Sequence, residues 1–136
     1  MPSLRRIRTM DYAKTNLRNV EDMAAKHGLS DNQEARFPRQ EVGAEQTGMN
    51  SLIVKPGRRE AFAHRHRTAE EIYVVLAGSG HVKLDDDLLE LSPLDAVRVS
   101  PGVARSFEAG AEGLEVLIFG PHVEGDSDIV DGFWSD

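Results

Sequence analysis

The chain contains no cysteine among its 136 residues, so disulfides and thiolate metal sites are excluded. It also has no apolar run approaching the ~20 residues of a membrane span. No apolar segment follows the N-terminal arginines Arg5, Arg6 and Arg8, so a secretory signal is not expected. These absences fit a soluble protein of the reducing cytoplasm, without a membrane partner. Positive charge is scarce: 16 Lys and Arg stand against 23 Asp and Glu, for a net charge of −7. A dedicated nucleic-acid binder needs clustered Lys and Arg for phosphate contacts, so that class is excluded as well. The Arg5, Arg6, Arg8 cluster reads as a solvated strand face. Internal repeats and low-complexity segments are missing too.

What remains is an ordinary globular composition, 40% hydrophobic and 29% charged, at a length that fits one domain with a real core. Residues 1–45 read as an N-terminal arm and 46–136 as the main body with a C-terminal tail. In the arm, Leu4–Arg8 alternates loosely and suggests an edge strand. Asn19 has the chemistry of a helix cap, with Asp22 in a capping-box position. Val20, Met23, Ala24 and His27 follow at helical spacing, and Gly28 is a stop. The expectation is a short helix over 20–27, followed by an irregular stretch over 29–45.

From Gln46 onward the chain reads as short strands punctuated by Gly and Pro: 49–54, 62–66, 71–76, 81–84, 88–91, 95–100, 104–108 and 114–119. Gly78-Ser79-Gly80 is read as a hairpin turn and Gly110–Gly113 as a loop. No strand alternates with a long helix, so the class is all-β, a sandwich or barrel. Phe133-Trp134 at the end of the acidic tail is expected to pack back onto the body.

The chemistry concentrates around His64-Arg65-His66 and Glu70-Glu71. Histidines at i and i+2 share one face of a strand, and a carboxylate from the next strand would complete a two-His, one-carboxylate metal site. The segment Pro56-Gly57…His64-x-His66-x4-Glu71-x6-Gly78 resembles the first motif of the cupin superfamily, although the turn between Gly57 and His64 is one residue longer than usual. A second cupin-like motif runs from Leu94 to Ala109. In it Pro101-Gly102 matches, Leu94 stands for the leading Gly, Ser100 for a Pro, Ala109 for an Asn, and Arg105 for the metal-binding His. The resemblance covers residues 46–120. It implies a double-stranded β-helix, the jelly-roll barrel, with a site inside the barrel mouth. It also implies a homodimer in which the N-terminal arm packs on, or swaps to, a partner barrel.

His64, His66 and Glu71 suit a divalent metal, Fe, Mn, Zn or Ni, and leave positions open for water or ligand. Glu71 is preferred to Glu70 because Glu71, Tyr73 and Val75 share the strand face that leads inward. Guanidinium cannot be a ligand, and its charge repels a metal. Arg105 therefore either orients an anionic substrate bidentately beside the metal, or pairs with Glu71 and makes a metal-free pocket. Tyr73 and Phe107 are expected to line the cavity beside Arg105. His81, His122, Asp85-Asp86-Asp87 and Arg98 read as turn, loop and surface residues without a ligand role. Two functions follow. One is a metal-dependent protein that acts on a small anionic metabolite by isomerisation, oxygenation or decarboxylation. The other is a non-catalytic small-molecule binding or sensing module.

Overall fold

The computed structural model describes residues 11–135. The edge strand expected at Leu4–Arg8 lies outside them. Eight antiparallel strands form one curled sheet: β1 (Gln33–Arg36), β2 (Met49–Val54), β3 (Ala63–His66), β4 (Glu71–Leu84), β5 (Asp87–Leu91), β6 (Ala96–Val99), β7 (Arg105–Phe119) and β8 (Ser127–Val130). The two long strands, β4 and β7, pair with each other from Ile72↔Phe119 to Leu84↔Arg105. β5 and β6 flank β4, β2 and β1 extend the sheet from β7, and β3 joins β7 through the single pair His64↔Arg105. This is the jelly-roll barrel expected from the sequence. Its core is built from alternate residues of the pleat, among them Leu52, Val54, Tyr73, Val75, Val82, Val99, Phe107, Leu114 and Val116.

Gly78-Ser79-Gly80 is not a hairpin, and Gly110–Gly113 is not a loop. Both lie inside continuous strands of 14 and 15 residues. These glycines punctuate the sequence because the two strands bend and press together there. A Cβ on Gly78 would sit 2.0 Å from the Gly113 carbonyl oxygen, and one on Gly80 would sit 2.1 Å from that of Glu108. The pairing register shifts at the same places, between Val75 and Ala77 and between Gly78 and Gly80. Gly80 lacks a positive φ, so its requirement is steric alone. Gly80→Ala should therefore cost roughly 3 kcal/mol or more, read as a lower midpoint in urea unfolding. A cost below about 1 kcal/mol would mean that the strands are not held this close.

The arm is more regular than its sequence suggests. A 3₁₀ turn, Leu17–Asn19, is capped by the Asn16 side chain, and a single α-turn, α1 (Met23–Lys26), is capped by Asp22. The helix over 20–27 is thus one turn shorter at its start, and Asn19 is not its cap. Val20 is extended, and the Asp22 carboxylate oxygen accepts from Ala24 N at 3.0 Å and from Ala35 N of β1 at 2.9 Å. That double use fixes the helix start and ties it to the sheet. Gly28 does end the helix, at φ 75°. Within 29–45, β1 pairs with β2 of the same chain and α2 (Arg39–Val42) forms a second turn. Four-residue elements are too short for periodicity to reveal.

The tail contributes β8, which pairs with β3 along Ala63–His66. Phe133 and Trp134 pack back as expected: Trp134 Nε1 donates to Ser106 Oγ at 3.1 Å, the Arg59 guanidinium lies 4.4 Å from the Trp134 ring, and Lys83 donates to the Phe133 carbonyl. No described helix is long and apolar enough to cross a membrane.

Candidate metal centre and cavity

The pleat of β3 turns His64 and His66 to one face, and β4 begins at Glu71, buried with Tyr73 and Val75 on its inner face. Ile72 and Leu76 alternate outward and are exposed. Glu70 points out as well, 3.7 Å from Arg98. The candidate ligand atoms of His64, His66 and Glu71 all lie within 4.8 Å of one another. Glu71 Oε1 stands 3.3 Å from His66 Nε2 and 4.0 Å from His64 Nε2. The structure thus brings together the three residues the sequence grouped.

Each donor is set by its neighbours. Tyr73, whose phenol is pushed well above its usual range first by burial and then by Glu71, donates to Glu71 Oε1 at 2.7 Å. Burial, then the charges of Arg105 and His66, bring His64 down to about 4, so its imidazole is neutral near pH 7. His66 Nδ1 lies 3.2 Å from Asp126 Oδ2. Asp126 also accepts from Thr68 N at 2.9 Å, Thr68 Oγ1 at 2.7 Å and Ala69 N at 2.9 Å. Burial pushes this carboxyl up, but those donors outweigh it and bring it down to about 2. Such a fixed acceptor beside Nδ1 orients the His66 ring with its Nε2 toward Glu71.

Arg105 is fully buried opposite His64. Its Nη2 reaches the Ser100 carbonyl at 3.5 Å, and its Nε and Nη1 have no hydrogen-bond partner. The direct Glu71–Arg105 pair, one of the two arrangements the sequence allows, does not form. Tyr73 and His66 occupy the near oxygen of Glu71 instead. Glu60 also faces inward. Its Oε1 accepts from Phe107 N at 3.0 Å. Burial pushes its carboxyl up to about 8, the Phe107 amide opposes that rise, and the Glu71 charge adds to it. Near neutral pH this places a largely protonated acid behind the triad.

A cavity of about 530 Å³ opens at His66 and Glu71. The arm closes its other side with Val20, Met23, Phe37 and Arg39. Arg105, Tyr73 and Phe107 are not in this wall. Tyr73 and Phe107 pack edge-to-face in the core, ring centroids 5.0 Å apart, contrary to the expectation that they line the cavity. Tyr73 meets the site through Glu71, and Arg105 acts from behind it by charge. His122, read from sequence as plain loop, does line the cavity mouth.

Asp126, Thr68 and Glu60 carried no signal of their own. Asp126 sits in an acidic tail 60 residues from His66, and Glu60 follows two arginines in what reads as a solvated run. Only the pairing of β3 with β8 brings Asp126 under the histidine. Asp126→Asn should weaken metal binding about 10- to 100-fold, measured by calorimetric titration. Wild-type affinity in that variant would show that the hydrogen bond does not tune the ligand.

The cupin domain family model matches residues 50–119, just over half of the chain. The chain belongs to the cupin family. It is 27% identical over 126 residues to the uncharacterized protein MJ1618 of Methanocaldococcus jannaschii, a match that covers 90% of this cupin and 98% of that protein. Among solved structures, the polyketide cyclase RemF from Streptomyces resistomycificus superposes with a TM-score of 0.72 at 19% identity, covering 90% of this chain and 86% of that one. A variant of Streptomyces PAC13 with uridine gives 0.71 at 18% identity, covering 89% and 92%. At these identities the structural likeness establishes the fold.

Proposed function

We propose that this cupin binds a divalent metal through His64, His66 and Glu71 and takes a small anionic metabolite in the adjoining cavity. The observation that carries this reading is the convergence of two imidazoles and one carboxylate, with Tyr73 and Asp126 holding two of the three from behind. Imidazoles and a carboxylate suit Fe, Mn, Zn or Ni alike. A bound ion would supply Lewis acidity to a ligand oxygen. The rest falls to the protein. His66 and Glu71 form the cavity wall, and the arm limits the entry of water.

Charge supports an anionic ligand. With His64 neutral and Glu60 protonated, the fixed charges around the site are Glu71, Asp126 and Arg105, which leave one net negative charge. A divalent ion then leaves the site positive, and an anion entering from the cavity offsets that charge together with the buried charge of Arg105. Isomerisation and oxygenation are the reaction classes proposed. A second reading, binding without turnover, is favoured by Arg105 at the position where the cupin motif carries a histidine. A homodimer that uses the arm and a cytoplasmic location belong to the same proposal.

Cobalt-loaded protein tests it. Millimolar acetate should shift the visible cobalt bands, while acetamide, its neutral counterpart, should not. Equal responses to the two would remove the reading of an anionic ligand.

A further inference from the structure

Two chain segments separate Arg39 from the candidate metal centre, and they meet in bare backbone. Gly48 lies at the start of β2, and Gly120 follows β7. Gly120 N donates to the Gly48 carbonyl at 3.1 Å. A Cβ on Gly48 would meet the Gly120 carbonyl oxygen at 2.8 Å, with the Arg39 Cδ 3.8 Å away. A Cβ on Gly120 would meet the Glu70 carbonyl at 2.9 Å and Glu71 Cγ at 3.2 Å. Neither glycine has a positive φ, so both are required by close approach. The Arg39 stem, Gly48, Gly120 and Glu71 thus follow one another in a row, and all four line the same cavity. Neighbouring strands stand about 4.8 Å apart, so the row from Gly48 to Glu71 spans roughly 10 Å.

Arg39 is half-buried, whereas Glu21 and Glu41, which also line the cavity, are exposed. Its Nη1 reaches the Ala44 carbonyl at 3.5 Å, and among the described residues no carboxylate lies within ion-pair distance of it. Apolar side chains, Met23, Phe37, Met49 and Ile118, complete the walls between the two ends. A guanidinium with no carboxylate in ion-pair reach, on the wall of a cavity of mixed apolar and polar lining, is a receptor for an oxyanion. The exposed Glu21 and Glu41 stand in water, where their charge is screened.

We propose that the cavity binds a two-headed ligand. One oxygen-bearing head lies at His66 and Glu71, and a carboxylate or phosphate at the other end is held by Arg39, with the body laid over the bare Gly48–Gly120 backbone. This rests on the metal-site reading above and adds to it the shape and second charge of the ligand. Arg39 is then the residue that sets specificity, and the arm that carries it forms half of the binding site.

The test uses the manganese-loaded full chain and straight α,ω-dicarboxylates from succinate to suberate, with the monocarboxylate of equal length as partner to each. Calorimetry should show the diacid ahead of its monoacid by about tenfold at one intermediate length. Arg39→Gln should erase that gain and leave the monoacid unchanged, and Arg39→Lys should keep part of it. Diacids and monoacids binding alike, or an Arg39→Gln loss equal for both, would overturn the proposal. Manganese titration of the same variant separates the two readings. Unchanged metal affinity with the diacid gain lost supports the Arg39 role, and a wild type that takes up neither manganese nor Fe(II), Zn or Ni overturns the metal reading itself.

Discussion

Replacing His64 and His66 together by alanine is expected to weaken divalent-metal binding by about 1000-fold or more, ~4 kcal/mol. The triad supplies three ligand atoms, and the double change leaves Glu71 alone. A lone carboxylate backed by the buried Arg105 guanidinium has no reason to retain an ion. Both imidazoles are only partly buried, and neither belongs to the apolar cluster around Tyr73 and Phe107. The fold should therefore survive, with the loss of stability confined to about 1 kcal/mol. Metal affinity by calorimetry and stability by urea unfolding, measured on the same preparations, separate the two effects. A double variant that stays folded and still binds metal as the wild type does would place the ion elsewhere.

Arg105→Met should move metal affinity in the opposite direction. Two like unit charges 4 Å apart repel by ~4 kcal/mol at an effective dielectric of 20, and a divalent ion doubles the term. Arg105 is buried against the triad, directly across the ladder from His64. Its Nε and Nη1 take no hydrogen bond that would spread their charge. Methionine fills a similar volume without the charge and should tighten metal binding at least about tenfold. Arg105→His should tighten it further, because it removes the charge and adds a donor. The same removal should weaken acetate at the loaded site, since the anion loses its second cation. Opposite movement of metal and anion affinity is the signature of a charge acting from behind. If both fall together, Arg105 is instead a structural support for the triad.

The fold was largely legible in the sequence. Short runs bounded by Gly and Pro located β2, β3, β5 and β6 to within a residue or two, and that punctuation fits a barrel. The errors share one cause. Glycine was read as a turn signal at 78–80 and 110–113, whereas there it permits two long strands to bend and press together. That contact is a tertiary fact, invisible along one strand. Likewise Asp22 caps a helix and a strand edge at once, which no local capping rule anticipates.

The site divides in the same way. His64, His66 and Glu71 were legible because strand periodicity and spacing are local properties. The supporting residues were not. Asp126 reaches His66 only through β8, and Arg39 reaches the cavity only through the fold of the arm. Tyr73 and Phe107 were grouped with the cavity because inward-facing strand residues look alike in sequence, whether they meet a ligand or one another. The structure assigns both to the core.

The most direct test is the metal content of tag-free protein, equilibrated in turn with Fe(II), Mn, Zn and Ni, desalted, and analysed by mass spectrometry of the elements. The account predicts about one ion per chain for at least one of these metals, absent from the His64→Ala/His66→Ala protein. Wild-type protein that retains none of the four would contradict it.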